Sequence, residues 1–408
     1  MSWNLTVLRT TLFFPLLIAC CAINLVSCRT TNNGKSDRVA ADKKAQEPSP
    51  LAAFKPQIQV QRLWARTIGR GEQRLGIAQH PVVLDGRVYA SAINQGVFAL
   101  NLETGEVIWH VEPKARDPKS TLRLSGGPGV GGGRVVVGSL DGQVIALDQT
   151  TGAIQWRASV SGEIIAAPSV DQSTVYIHTT DGRVTALDAA SGAMRWSVEH
   201  DPPSLSVRGS SSVLIGPGVV FIGQDNGTLT TVSAEDGHTL WDQVVGSSEG
   251  RTEIERMADV DGQPVLEGDT LYATSYKNVT VAFDAPNARV IWTSPHGGEG
   301  GVGVSSGDVV ISNPEGVVWA LDKTSGSALW SQTALARRAL SPPAIHGDYA
   351  VVGDYKGYLH WLSLNDGALA ARLRLGHAAI VAQPIVAGTI VVVQTTHGQL
   401  AAFRLHSL

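Results

Sequence analysis

Four stretches have spacings that can carry chemistry. Gly127-Pro128-Gly129-Val130-Gly131-Gly132 and Gly298-Glu299-Gly300-Gly301-Val302-Gly303 both fit GxGxxG. Such a loop lets backbone N–H groups approach a dinucleotide pyrophosphate, provided that it opens a helix directly after a strand. Gly246-Ser247-Ser248-Glu249-Gly250 and Gly303-Val304-Ser305-Ser306-Gly307 fit GxSxG, which exposes a serine nucleophile on a strand-to-helix turn of an α/β sheet. Neither GxGxxG stretch opens a helix, and both GxSxG stretches read as loops of an all-β chain. The 11 His are scattered, with no HExxH and no close His–carboxylate cluster, so a metal centre is not expected. The three Cys are Cys20, Cys21 and Cys28, which leaves everything after them without a disulfide or a thiolate ligand. No catalytic, cofactor-binding or metal-binding residue is expected.

What the chain does repeat is a structural unit, seen most clearly from Thr179 to Trp196. Asp181-Gly182 is a hairpin turn, since Gly accepts the positive φ that such turns demand. Val184, Ala186 and Asp188 alternate with Arg183, Thr185 and Leu187, the period of a strand. Ser191-Gly192 turns the chain again, and Trp196 follows four residues later. The first turn recurs at Gly96, Gly142, Gly182, Gly227, Asn278, Gly316, Gly357 and Gly398. The second recurs at Gly105, Gly152, Gly192, Gly237, Ala288, Gly326 and Gly367. Four positions beyond these stand Trp109, Trp156, Trp196, Trp241, Trp292, Trp330 and finally Ala371. From Trp64 to Trp330 the successive Trp spacings are 45, 47, 40, 45, 51 and 38. A strand-built period of this size predicts a β-propeller with one four-stranded blade per repeat.

Eight first turns meet only seven downstream outer strands, and the last repeat ends at Leu408 before its own. Val60 to Arg66 carries an orphan, Trp64, with no hairpin ahead of it. The expected fold is therefore all-β: an eight-bladed β-propeller of four-stranded antiparallel blades over residues 58–408. Its ring is closed by the N-terminal strand pairing with the Gly398 hairpin, which removes the bare edges of an open array. Each Trp is expected to wedge between blades. Apolar runs such as Val135–Val137, Val175–Ile177, Val219–Phe221 and Ile390–Val392 read as inner strands buried on both faces. Trp319 and Trp361 fall outside the outer-strand register and read as packing or rim residues.

Function in such a fold is expected where loops depart from the repeat. The inter-blade connections emerge on one face, and three are long: Val111–Gly126, Glu199–Gly209 and Gly246–Gly262. The second and third join consecutive blades and should be neighbours. Together they present Leu205 and Val207 on one side of an extended segment, Arg208 beside them, and the carboxylates of Asp259 and Asp261 nearby. Exposed apolar residues rimmed by opposite charges form a protein-binding patch. An internal pair between Arg208 and one Asp, pinning the loops, is the other reading, and the two are compatible.

A formal net charge of −4 over 408 residues leaves no nucleic-acid footprint. Residues 1–27 read as an export signal, with Arg9 ahead of an apolar run from Leu12 to Val26. Pro15 and Asn24 interrupt that run, which is short for a membrane span. Leu25-Val26-Ser27-Cys28 resembles the bacterial lipoprotein signal, with Cys28 as the lipidated residue; Leu17-Ile18-Ala19-Cys20 fits the same pattern. Arg29 follows Cys28 where inner-membrane retention needs Asp, which implies an outer-membrane anchor. Residues 28–57, the lipidated Cys and a polar stretch rich in Lys, Ser and Pro, read as a flexible tether.

Three segments are more specific than the blade repeat. They are Pro203-Ser204-Leu205-Ser206-Val207-Arg208-Gly209, then Thr252-Glu253-Ile254-Glu255-Arg256 with Asp259-Val260-Asp261, and Val352-Gly353-Asp354-Tyr355-Lys356-Gly357-Tyr358-Leu359-His360-Trp361. With them the chain after Cys28 resembles the BamB family, lipoprotein propellers of the outer-membrane β-barrel assembly machinery. The resemblance implies a non-catalytic scaffold without a cofactor, anchored in the outer membrane and facing the periplasm. It implies binding to the POTRA domains of BamA, company with other assembly-complex subunits, and support for folding and insertion of outer-membrane proteins. The family's BamA-contacting residues fall on Leu205, Val207, Arg208, Asp259 and Asp261. Val207 stands where a Leu is expected, which trims apolar contact slightly. Quinone-dependent dehydrogenases share the blade repeat, but they carry a vicinal Cys pair beside the cofactor, and here that pair is Cys20-Cys21 in the signal. Direct capture of unfolded outer-membrane clients, by strand addition to blade edges, is neither required nor forbidden.

Overall fold

The computed structural model describes residues 47–406 apart from 72–74, 117, 118, 120, 202, 206–208 and 210. The export signal, Cys20, Cys28 and the tether as far as residue 46 lie outside the described residues. Pro48–Leu408 is one compact unit, built from eight four-stranded sheets. Seven sheets take their strands consecutively. The third blade, for example, runs Ser169–Val170, Thr174–His178, Arg183–Asp188 and Met194–Glu199. The eighth takes Ile385–Ala387, Ile390–Gln394 and Gln399–His406 from the end of the chain and its outer strand, Gln59–Thr67, from the beginning. That pairing is antiparallel, with Gln59 opposite His406 and Thr67 opposite Gln399. The ring closes as the strand count requires.

The apolar runs are second in their sheets, not innermost. Val135–Val137 lie in Arg134–Ser139, which pairs on its axial side with Leu124–Gly131. Innermost strands elsewhere are as short as Ser169–Val170 and Gly303–Val304. The reason is geometric. Strands converge toward the axis, so the first strand is short and shows no period to read. The second lies mid-wedge with a neighbouring blade against each face, which buries it throughout. Gly303-Val304, read above as part of a loop, is such a first strand.

The core is divided among the seams between blades. The seam of blades three and four packs Tyr176, Val184, Trp196, Val220, Ile222 and Val232. Six of the seven outer-strand Trp residues cross the seam and donate the indole N–H to the next blade, among them Trp64 to Leu102 O at 2.8 Å, Trp156 to Ala189 O at 2.7 Å and Trp330 to Leu364 O at 2.7 Å. Replacing such a Trp by Ala removes the wedge and costs about 3–5 kcal/mol. The second turn must be tight because that indole lies on it. At Gly192, φ is 74° and a Cβ would stand 2.5 Å from the Trp156 ring. Ala288 takes this place in blade five and holds φ 54°. Its seam partner Trp241 is, among the described residues, the outer-strand Trp that makes no such bond. In blade seven, where Ala371 replaces the Trp, the fully buried Trp361 stands opposite it on the adjoining strand and donates to His346 Nδ1 at 3.2 Å. Trp319 stacks on His296, with ring centroids 3.8 Å apart.

Candidate protein-docking site

In five blades the outer strand ends by bonding back to the first turn of its own blade, as His200 N–H does to Gly182 O at 3.0 Å and Val245 N–H to Gly227 O at 2.9 Å. The inter-blade connections and the first turns therefore share one face. The long connections that follow blades three and four meet there. Ser204 Oγ donates to the Glu253 carboxylate, and Ser211 Oγ reaches Gly262 O at 3.4 Å. A Cβ at Gly209 would stand 2.2 Å from Asp261 Oδ2, so glycine lets one loop pass directly over the carboxylate of the other. A one-turn helix, Glu253–Arg256, stiffens the second loop. Thr252 caps it and Glu255 reaches back to the Thr252 N–H, a reciprocal capping box.

Leu205 is 42% exposed and Ile254 is 71% exposed. The contact between Ser204 and Glu253 sets these two apolar side chains on neighbouring loops. Ile254 was not among the expected site residues; its signal was an apolar residue between two acids on an otherwise charged turn. Val207 and Arg208 lie outside the described residues.

The carboxylates differ from expectation. Asp259 is fully buried, and its backbone carbonyl accepts the Tyr276 N–H at 2.9 Å. Asp261 is part-buried. They form the floor of the site, not its rim. Asp225, from the first turn of blade four, joins them, with carboxylate oxygens of all three within 4.8 Å of one another. Burial raises the Asp261 carboxyl well above its usual range, and Asp225, Asp259 and Glu299 push it the same way. Burial and Asp259 raise Glu299 as well. Asp225 escaped the sequence reading because blades two and three place Asp141 and Asp181 in the matching turn, where Asp is an ordinary turn residue. Such a cluster of like charges favours a cation, either a metal ion or a basic side chain.

Beside this floor, a cavity of about 750 Å³ is lined by His80, Asp261, Gln263, Glu299 and Gln383 among others. Burial holds the His80 imidazole down to about 4. The face also carries a His–carboxylate pair that sequence spacing did not reveal: His360 Nε2 lies 3.2 Å from Asp354 Oδ2. Ser305, the candidate nucleophile of one GxSxG stretch, is instead a turn residue bonded to Asp308.

A family model described as outer membrane protein assembly factor BamB matches residues 94–332 and 314–407. The outer membrane protein assembly factor BamB of Xanthomonas campestris pv. campestris is 54% identical, over 95% of this chain and 97% of its own. The crystal structure of BamB from Moraxella catarrhalis is similar at a TM-score of 0.76 and 26% identity, covering 85% of this chain and 100% of that one. A quinohemoprotein alcohol dehydrogenase from Comamonas testosteroni reaches a TM-score of 0.65 at 17% identity, covering 85% of this chain and 76% of its own. That last likeness is one of fold alone.

Proposed function

We propose a scaffold role from a plain premise: the chain belongs to the BamB family of outer membrane protein assembly factors. It serves outer-membrane protein assembly by binding, with no chemistry of its own. Its partner is BamA, gripped through the POTRA domains, with other assembly-complex subunits alongside. Cys28 carries the lipid that holds it on the outer membrane, facing the periplasm, after residues 1–27 are removed.

The observation that carries this reading is the bonded pair of loops, which expose Leu205 and Ile254 next to the Ser204–Glu253 contact and hold Asp259 and Asp261 in the second loop. Rigid apolar side chains are what a protein partner can anchor on. Leu205, Val207 and Arg208 supply the contact. Asp259, being buried, shapes the loops from beneath, and Asp261 draws a basic group toward them. The test is capture of BamA from detergent-solubilised membranes. A Leu205→Asp, Ile254→Asp double variant should lose most of the captured BamA while its thermal unfolding stays unchanged. Full capture by the folded double variant would move the docking site elsewhere. Metabolic labelling with a fatty acid should vanish in Cys28→Ser and persist in Cys20→Ser.

A further inference from the structure

The rim of blade seven is a built peptide site. We propose that its ligand is the chain's own segment Pro48–Gln57, clamped there so that the anchoring tether leaves the body at Pro48 instead of at the first strand.

One half of the site is fixed without the segment. Arg338 is 5% exposed and sends Nε and Nη2 to the buried Asp354 carboxylate at 2.8 and 2.6 Å. Asp354 is itself held by the N–H groups of Lys356 and Tyr358 at 2.9 and 3.0 Å. A fork locked on one side leaves a single direction for the remaining nitrogen, and Nη1 donates to Ser49 O at 3.1 Å. A second guanidinium reads the segment without such a lock: Arg372 Nη2 donates to Ala52 O at 3.0 Å, and the group lies 4.9 Å over the Phe54 ring. Main-chain bonds close both ends, Ser49 N–H to Ala336 O at 3.0 Å and Gln57 N–H to Ala370 O at 2.8 Å. Between them Leu51 packs on the apolar seam of blades six and seven.

The blade is adapted to this cover. Just before the Trp position, other outer strands expose large apolar side chains such as Ile108 and Leu329, whereas the matching Ala370 here is small and buried. Small residues admit a chain laid close against the strand. Pro48, Pro50 and Pro56 narrow the segment's conformations before it binds, so less entropy is lost on seating. The site reads backbone carbonyls with arginine forks and one aromatic with a cation, a recognition suited to a short extended peptide.

The consequence concerns reach and rests on Cys28 as the anchor. An extended chain spans at most about 3.3–3.6 Å per residue. With Pro48–Gln57 seated, the chain from Cys28 meets the body at Pro48 instead of at Ile58, which makes that span roughly a third shorter.

Hydrogen exchange on the purified full-length protein tests the clamp. The Ser49 and Gln57 amides should exchange at least about tenfold slower than unstructured peptide rates. An Arg372→Ala, Phe54→Ala double variant should return Gln57 to peptide rates while the Gln399–His406 amides keep their protection. Arg372→Lys, which retains charge without the fork, should fall between. Peptide-rate exchange in the unaltered protein, or undiminished protection in the double variant, would overturn the proposal. In membranes, the double variant should also widen the spread of body-to-bilayer distances seen by fluorescence transfer; an unchanged spread overturns the claim about reach. Should Cys28→Ser remain membrane-bound, the anchor reading fails while the exchange result still decides the clamp.

Discussion

Two carboxylates on the same face of the ring meet burial with opposite outcomes. At blade seven, burial pushes Asp354 upward, but bonds from His360, the Tyr358 N–H and Arg338 outweigh it and hold the carboxyl below its usual range. At the docking site, burial acts on Asp261 in the same sense and is reinforced by Asp225, Asp259 and Glu299, so the carboxyl rises well above that range. The first is a finished joint, in which a fixed cation and main-chain donors satisfy one acid. The second gathers several acids, whose mutual repulsion adds to burial. Depth alone does not decide whether a buried acid rises or falls; its neighbours do.

The largest effect is expected at the joint. Arg338→Met strands the Asp354 carboxylate and should lower stability by about 3–5 kcal/mol in urea unfolding. Adding Asp354→Asn should restore a large part of it. A smaller effect is expected on the opposite face of the ring. Ala288→Gly relieves a left-handed alanine under the seam of blades four and five and should raise stability by about 1 kcal/mol.

Acid titration should then separate the two sites by sign. Asp354 has a lowered folded value, so its contribution is present above the ordinary carboxylate range and is lost as pH falls through that range. Asp261 has a raised folded value, so stability falls as pH climbs from the ordinary Asp value. Asp261→Asn should accordingly raise the melting temperature at pH 7 and leave it unchanged near pH 3, as followed by calorimetry. The smallest effect belongs to the surface. Leu205→Ser should shift stability by less than about 0.5 kcal/mol, although BamA capture declines.

Much of this architecture can be read directly from residues. Turn glycines, their Asn278 and Ala288 substitutes, and the Trp register mark blade after blade, because each unit repeats one solution to the same packing problem. Both substitutes hold the positive φ that their places require. Orphan Trp64 exposes the closure, since a strand without a hairpin must find one elsewhere. Apart from Leu124–Gly131, the innermost strands escape notice because two or three residues carry no period. The docking loops are recognisable as departures from the repeat, but the depth of Asp259 is not, since sequence separates loop from strand better than floor from rim. Asp225 hides as a turn residue and Arg338 as one more surface cation. Its buried partner, Asp354, stands 16 residues further on, at the first turn of blade seven, so the pairing exists only once that blade has folded.

Closure by the opening strand has a consequence for how the protein comes into being. Gln59–Thr67 is made early and must wait for Gln399–His406, the last strand, before it can pair. Chains are delivered N-terminus first, so every incomplete molecule carries a bare edge at both extremities of its sheet array. Such long-range pairing is slow to form, and unpaired edges invite aggregation. A clasp fastened by the first and last strands thus makes completeness self-reporting: a chain cut short before its final hairpin has no clasp to fasten and stays open to proteases.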